Sequence, residues 1–100
     1  MIEVQEDNLK DIIDNNEKVI VQYGASWCGN CRIVKPKFRK LSEQYTDIKF
    51  VYVDAEKFPN SRKLSQVNNL PSFTTFKGGK VLDHFEGNKI DKVESLIAKI

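Results

Sequence analysis

The stretch Val19-Ile20-Val21-Gln22-Tyr23-Gly24-Ala25-Ser26-Trp27-Cys28-Gly29-Asn30-Cys31 runs from a β-branched segment into two cysteines two residues apart. Val19 to Tyr23 is nearly continuous in apolar character, which suits a strand covered on both faces. Beyond the cysteines, Val34, Phe38, Leu41 and Tyr45 recur at i, i+4, i+7 and i+11, the spacing of one apolar helix stripe. The cysteine pair therefore lies where a strand ends and a helix begins. A helix N-terminus leaves backbone N–H groups unpaired and presents the positive end of its dipole. The position of the pair thus bears on chemistry as well as fold.

The alternation continues in both directions. Ile2 to Gln5 reads as a short first strand, and Asp7 can cap a helix with Leu9, Ile12, Ile13 and Asn16 on one face. Ile48 to Val53 is a further strand. Pro59-Asn60-Ser61 opens a short helix that carries Leu64 and Val67 one turn apart. Ser72 to Phe76 is a strand preceded by Pro71, Gly78-Gly79 supplies a hairpin turn, and Lys80 to Glu86 returns. Asn88 can cap a last helix with Val93, Leu96, Ile97 and Ile100 on one stripe. The order is βαβαβαββα. Strand–helix–strand units enforce parallel pairing and the glycine hairpin adds an antiparallel pair, so an α/β fold with a five-stranded mixed sheet and four flanking helices is expected.

Composition narrows the function. One hundred residues, 40% of them hydrophobic, suit one compact domain over residues 1–100 and exclude a disordered chain. Sixteen Lys and Arg against fourteen Asp and Glu leave a net charge of +2, too mild to point to nucleic acid. No apolar run approaches the roughly 20 residues of a membrane span. The acidic start, Met1 to Asp7, does not read as a secretory signal, so a reducing cytoplasm is the expected compartment.

In that compartment a local cysteine pair is reactive rather than structural. A disulfide between Cys28 and Cys31 closes a tiny loop and adds little to the fold. Cys28, just ahead of the helix, should have a stabilised thiolate, while Cys31 sits a turn in, nearer the apolar interior. An exposed low-pKa thiol followed by a shielded one is an arrangement for thiol–disulfide exchange, in which the first attacks and the second resolves. Three other readings compete. Half of a zinc site lacks further cysteines and has only His84 to offer. Inert packing cysteines would be oddly placed around Gly29-Asn30. A redox-silent binding module on the same fold stays open.

The segment from Val21 to Cys31 resembles the active-site strand and turn of the thioredoxin family. The resemblance extends to Pro36 within the long helix, Asp54 ending the third strand, Leu70-Pro71-Ser72 before the fourth, the Gly78-Gly79 turn and Gly87. It implies the thioredoxin fold and a protein-disulfide reductase, with Cys28 attacking and Cys31 resolving. It also implies disulfide-bearing client proteins and a flavoprotein thioredoxin reductase using NADPH as partners. No bound cofactor and no metal are implied, nor nucleic acid or membrane, and the chain is expected to act as a monomer. Trp27, Gly29, Asn30, Leu70, Pro71 and Gly87 match the family's client-binding surface, and Ala25 and Gly79 its small residues. Pro71 matches a cis proline facing the cysteines. Pro36 should kink the helix by removing a donor to the Arg32 carbonyl.

The sequence departs from the family pattern in two places near the cysteines. Asn30 replaces the usual proline, adding a backbone N–H close to Cys28 and loosening the turn, which should make the pair more oxidising. Gln22 replaces a buried Asp behind the cysteines, and Phe50 stands where many bacterial members carry its lysine partner, so neither half of that ion pair is left alone. Glutamine accepts no proton at neutral pH; resolution by Cys31 should therefore be slower, especially at lower pH. The segment from Asp54 to Pro71 is longer than in common bacterial members and carries no assigned role. Arg32, Lys35, Lys37, Arg39 and Lys40 make the long helix basic, either as a solvated face or as a bias towards acidic clients. His84 reads as a surface residue.

Overall fold

The computed structural model describes residues 1–100. The elements follow the order β1 (Ile2–Glu3), α1 (Leu9–Asp14), β2 (Lys18–Gly24), α2 (Gly29–Gln44), β3 (Lys49–Asp54), α3 (Pro59–Arg62), β4 (Ser72–Lys77), β5 (Lys80–Glu86) and α4 (Ile90–Ala98). They form one five-stranded sheet in the order β1-β3-β2-β4-β5. β1 and β2 run parallel to β3, β4 is antiparallel to β2, and β5 is antiparallel to β4. The mixed sheet inferred from alternation is therefore the one observed.

β2 lies at the centre because its residues can be buried on both sides. Val19, Ile20, Val21, Gln22 and Tyr23 are all fully buried. At about 1.5–3 kcal/mol for each large apolar side chain, this strand anchors the fold. Ile20 and Phe50 face one way, against Val34, Phe38 and Leu41 of α2 and Val93, Leu96 and Ile97 of α4. Phe38 packs its ring against Phe50 and Phe73, with centroids 4.9 and 5.4 Å away. Val19, Val21 and Tyr23 face the other way, with Leu9 and Ile13 of α1. Gly78 and Gly79 turn β4 into β5 with φ of 60° and 83°, the left-handed pair a two-residue hairpin needs.

Several end residues act differently from expectation. Asp7 does not cap α1, whose N-cap is Asn8 with no side-chain bond. Its carboxylate reaches across the chain and accepts the N–H groups of Asn60 and Ser61, at 2.9 and 2.7 Å, at the start of α3. That helix spans four residues only, so Leu64 and Val67 lie in the loop beyond it, where they still pack on the core. Asn16 falls past the end of α1 and donates its amide to the Ile12 carbonyl. Asn88 does not cap α4, which begins after Lys89; its amide reaches Asn30 instead.

Candidate functional site

Because β2 is parallel to β3 and antiparallel to β4, the C-terminal end of β2 lies beside the start of β4. Tyr23 pairs with Ser72 and Gly24 with Asp54. That geometry brings Ala25 to Cys31 next to the Leu70–Pro71 bond, which is cis. Ala25, Cys28 and Cys31 form a small apolar cluster, and Leu70 packs against it.

Cys28 and Cys31 are joined as a disulfide across the first turn of α2. Cys28 is the N-cap of this helix, in extended conformation, and its Sγ accepts the N–H of Cys31 at 3.2 Å. A sulfur held there receives a backbone donor and the positive end of a 16-residue helix, which together favour its anionic form. Cys28 is 5% exposed and Cys31 1%. The order of exposure is as expected, but Cys28 is less open than foreseen, because the bonded pair folds in against Ala25 and Leu70. Beside it Trp27 is 63% exposed, with its indole N–H donated to Glu56, so it is not a core aromatic.

Gln22 lies directly behind the pair. It is fully buried and donates from Nε2 to the Cys31 carbonyl at 3.3 Å, while its Oε1 has no hydrogen-bond partner. Asn30 behaves differently from expectation. The N–H on the Cys28 sulfur comes from Cys31, and the Asn30 side chain instead accepts from Asn88 at 3.2 Å, tying the start of α2 to the turn after β5. Gly29 opens α2, and a Cβ built there meets nothing within 4 Å. Pro36 lies inside α2 and withholds one N–H from its ladder.

Gly87 sits with φ of 143° and donates its N–H to the Pro71 carbonyl at 2.9 Å. That φ strains any residue with a side chain, and a Cβ there would also come within 2.9 Å of the tip of the Phe85 ring, so glycine is favoured. Gly79 is not part of this face. The β4–β5 turn follows Lys77, which pairs with Lys18 at the opposite end of β2.

The basic face of α2 is partly neutralised. Glu3 holds both Lys35 and Arg39, and the Lys35 ammonium lies 4.0 Å over the Tyr52 ring. The Lys35 hydrogen bond is the main reason the Glu3 carboxyl sits below the usual carboxylate range. Arg32, Lys35, Tyr52, Asp54 and Cys31 line a cleft of about 300 Å³ beside the disulfide. His84 is not a plain surface residue. It is half-buried, with Nδ1 2.8 Å from the Thr74 hydroxyl and Nε2 3.6 Å from Glu86. No group of three or more His, Cys, Asp or Glu side chains converges on a metal-sized site.

A central β2 delivering a Cys-x-x-Cys disulfide to the N-cap of the following helix, with a cis proline alongside, defines an enzyme of thiol–disulfide exchange. The thioredoxin family model matches residues 1–100, and the chain belongs to that family. It is similar to the thioredoxin of Equus caballus, 37% identical over 79 residues, covering 79% of this chain and 75% of that one. Among solved structures, thioredoxin of Plasmodium falciparum superposes with a TM-score of 0.93 at 29% identity, covering 99% of this chain and 98% of that one. Thioredoxin of Schistosoma mansoni superposes with a TM-score of 0.92 at 34% identity, covering 99% and 94%. The protein is a disulfide reductase that works by dithiol–disulfide exchange.

Proposed function

We propose that Cys28 is the attacking thiol and Cys31 the resolving one in reduction of protein disulfides. The observation that carries this assignment is the hydrogen bond from the Cys31 N–H to the Cys28 sulfur at the helix N-cap, with Cys31 the more deeply buried of the two. The Cys28 thiolate attacks one sulfur of a client disulfide; the other leaves as a thiolate and takes a proton. Cys31 then loses its proton and attacks Cys28 Sγ, expelling the second client thiolate and leaving the chain oxidised. The client gains two electrons and the Cys28–Cys31 pair loses two. Trp27 offers a flat apolar platform, and Leu70, Pro71, Gly29, Asn30 and Gly87 form the remaining client surface, with Leu70 lending its backbone to an extended segment.

Return to the dithiol needs an external two-electron donor, and a flavoprotein thioredoxin reductase using NADPH fits the family. The chain holds no resident cofactor in this cycle and acts as one domain and one monomer in a reducing cytoplasm. No helix is long and apolar enough to cross a membrane. Asn30 and Gln22 also favour an accessory thioredoxin with a more oxidising potential and specialised clients.

The test is insulin reduction driven by dithiothreitol, or by a reductase with NADPH. Cys28→Ser is expected to abolish it, and Cys31→Ser to accumulate a mixed disulfide with the client. Full activity in Cys28→Ser would overturn the assignment. Partner binding that survives the double serine variant, without turnover in the parent chain, would instead identify a binding module.

A further inference from the structure

The chain between Ser65 and Pro71 forms no helix or strand, yet it delivers Leu70 to the disulfide. No backbone carbonyl takes the N–H of Asn68 or Asn69. Both N–H groups go to one carboxylate oxygen, Glu86 Oε2, at 2.9 and 3.1 Å. Oε1 accepts the Asn69 amide at 3.4 Å, and the Ser72 hydroxyl oxygen stands 3.4 Å from Oε2. His84 Nε2 lies 3.6 Å from Oε2 on the other side. Glu86 ends β5 directly opposite Ser72, so the sheet itself fixes where this carboxylate stands.

We propose that Glu86 is a positioning residue for client recognition, holding Asn68 and Asn69 so that Leu70 and Pro71 are presented to an extended peptide segment around a client disulfide. This rests on the reading of Leu70–Pro71 as client surface. From Val67 to Pro71 the other ties are the Arg62 guanidinium on the Val67 carbonyl, the Ser72 hydroxyl on the Asn69 carbonyl and the Gly87 N–H on the Pro71 carbonyl, each at 2.9 Å. All three reach carbonyls. Only Glu86 takes the Asn68 and Asn69 N–H groups, and two N–H groups sharing one anion set the direction of the chain entering Leu70. It also gives the long, otherwise unassigned approach to Pro71 a task. A client that pairs with the Leu70 backbone needs that direction fixed; a small disulfide attacked by Cys28 alone does not.

Two disulfides separate the cases. Insulin offers a peptide backbone, and 2-hydroxyethyl disulfide has none. Single-turnover rates of the pre-reduced chain give the ratio of insulin to 2-hydroxyethyl disulfide reduction. Glu86→Ala is expected to lower that ratio roughly tenfold. Glu86→Gln, which keeps an oxygen where Oε2 stands, should recover most of it. Amide hydrogen exchange should show Asn68 and Asn69 losing protection in Glu86→Ala while Gly87 keeps its own. An unaltered ratio with both amides deprotected overturns the proposal, as does a parallel fall for both disulfides. If Glu86→Ala does not fold, Glu86→Gln is read by the same ratio and a smaller drop is required. A Leu70→Pro chain, which removes the Leu70 N–H that no carbonyl of the chain takes, separates the two layers. If it too leaves the ratio unaltered, the client-surface reading fails; if it lowers the ratio while Glu86→Ala does not, only the role of Glu86 fails.

Discussion

At the scale of single residues, the chemistry turns on what stands behind and beside two sulfurs. Gln22 is sealed in the interior and holds the Cys31 carbonyl, so it positions the resolving cysteine without being able to take its proton. Replacing it by Asp places a carboxylate with no cation nearby, since Phe50 packs on Phe38 in the α2-side core. Gln22→Asp is expected to cost about 2–5 kcal/mol at neutral pH, read by denaturant unfolding. It should also change the pH dependence with which Cys31 resolves a mixed disulfide; an unaltered profile counts against a proton-transfer role at this position. Asn30 has a different task. Asn30→Pro stiffens the turn beside Cys28 and removes the bond to Asn88, and is expected to make the pair more reducing by roughly 30 mV against glutathione, a tenfold change in the equilibrium. An unchanged or more oxidising value contradicts the reading. The chemical types at these positions were legible in the sequence. The partners were not: nothing in the order of residues says that Asn30 meets Asn88, residues 58 positions apart.

At the scale of elements, the long strands and α2 followed directly from periodicity, because burial on one or two faces leaves a repeat that can be counted. What escaped was decided by contacts between distant segments. Asp7 caps α3 rather than α1, and Glu86 ties the loop before β4; each is a carboxylate meeting N–H groups far along the chain. His84 differs from the surface residue its sequence suggests for the same reason, since its Nδ1 meets the hydroxyls of Ser65 and Thr74. The seam between β2 and β3 carries a further test. A Cβ at Gly24 would stand 2.5 Å from the Tyr52 hydroxyl, so the aromatic ring occupies the space this glycine leaves. Gly24→Ala is expected to destabilise by about 1–3 kcal/mol. Combined with Tyr52→Phe, which removes the closest atom, the loss should be smaller than the sum of the two single changes. Additive losses in a denaturant titration would show that the two positions do not share that space.

At the scale of the whole molecule, one sheet gathers the strand end, the helix start and the cis-proline bond at one end of its central strands, and leaves the glycine hairpin at the other. Carboxylates brace both the site and its approaches. Glu3 is held low chiefly by Lys35, and Glu86 chiefly by the Asn68 N–H. Asp7 is pushed up by burial, but hydrogen bonds from Ser61 and Asn60 outweigh this and leave it lowered. Groups with lowered folded-state pKa bind protons more readily when unfolded. Their stabilisation is therefore complete above the ordinary carboxylate range and disappears as pH falls through their folded values. The thermal midpoint is expected to hold from neutrality to roughly pH 5 and to drop below roughly pH 4. Glu86→Gln and Glu3→Gln should each flatten that drop, and a midpoint insensitive to acid would contradict the bracing.

Alkylation of the reduced chain tests the central claim most directly. Iodoacetamide rates at Cys28 and Cys31, followed across pH by mass spectrometry, report each thiolate separately. Cys28 should react far faster than Cys31 near neutrality, with an apparent pKa well below the roughly 8.5 of a free cysteine. Two equally sluggish thiols, titrating like free cysteine or higher, would contradict the division of labour on which the account stands.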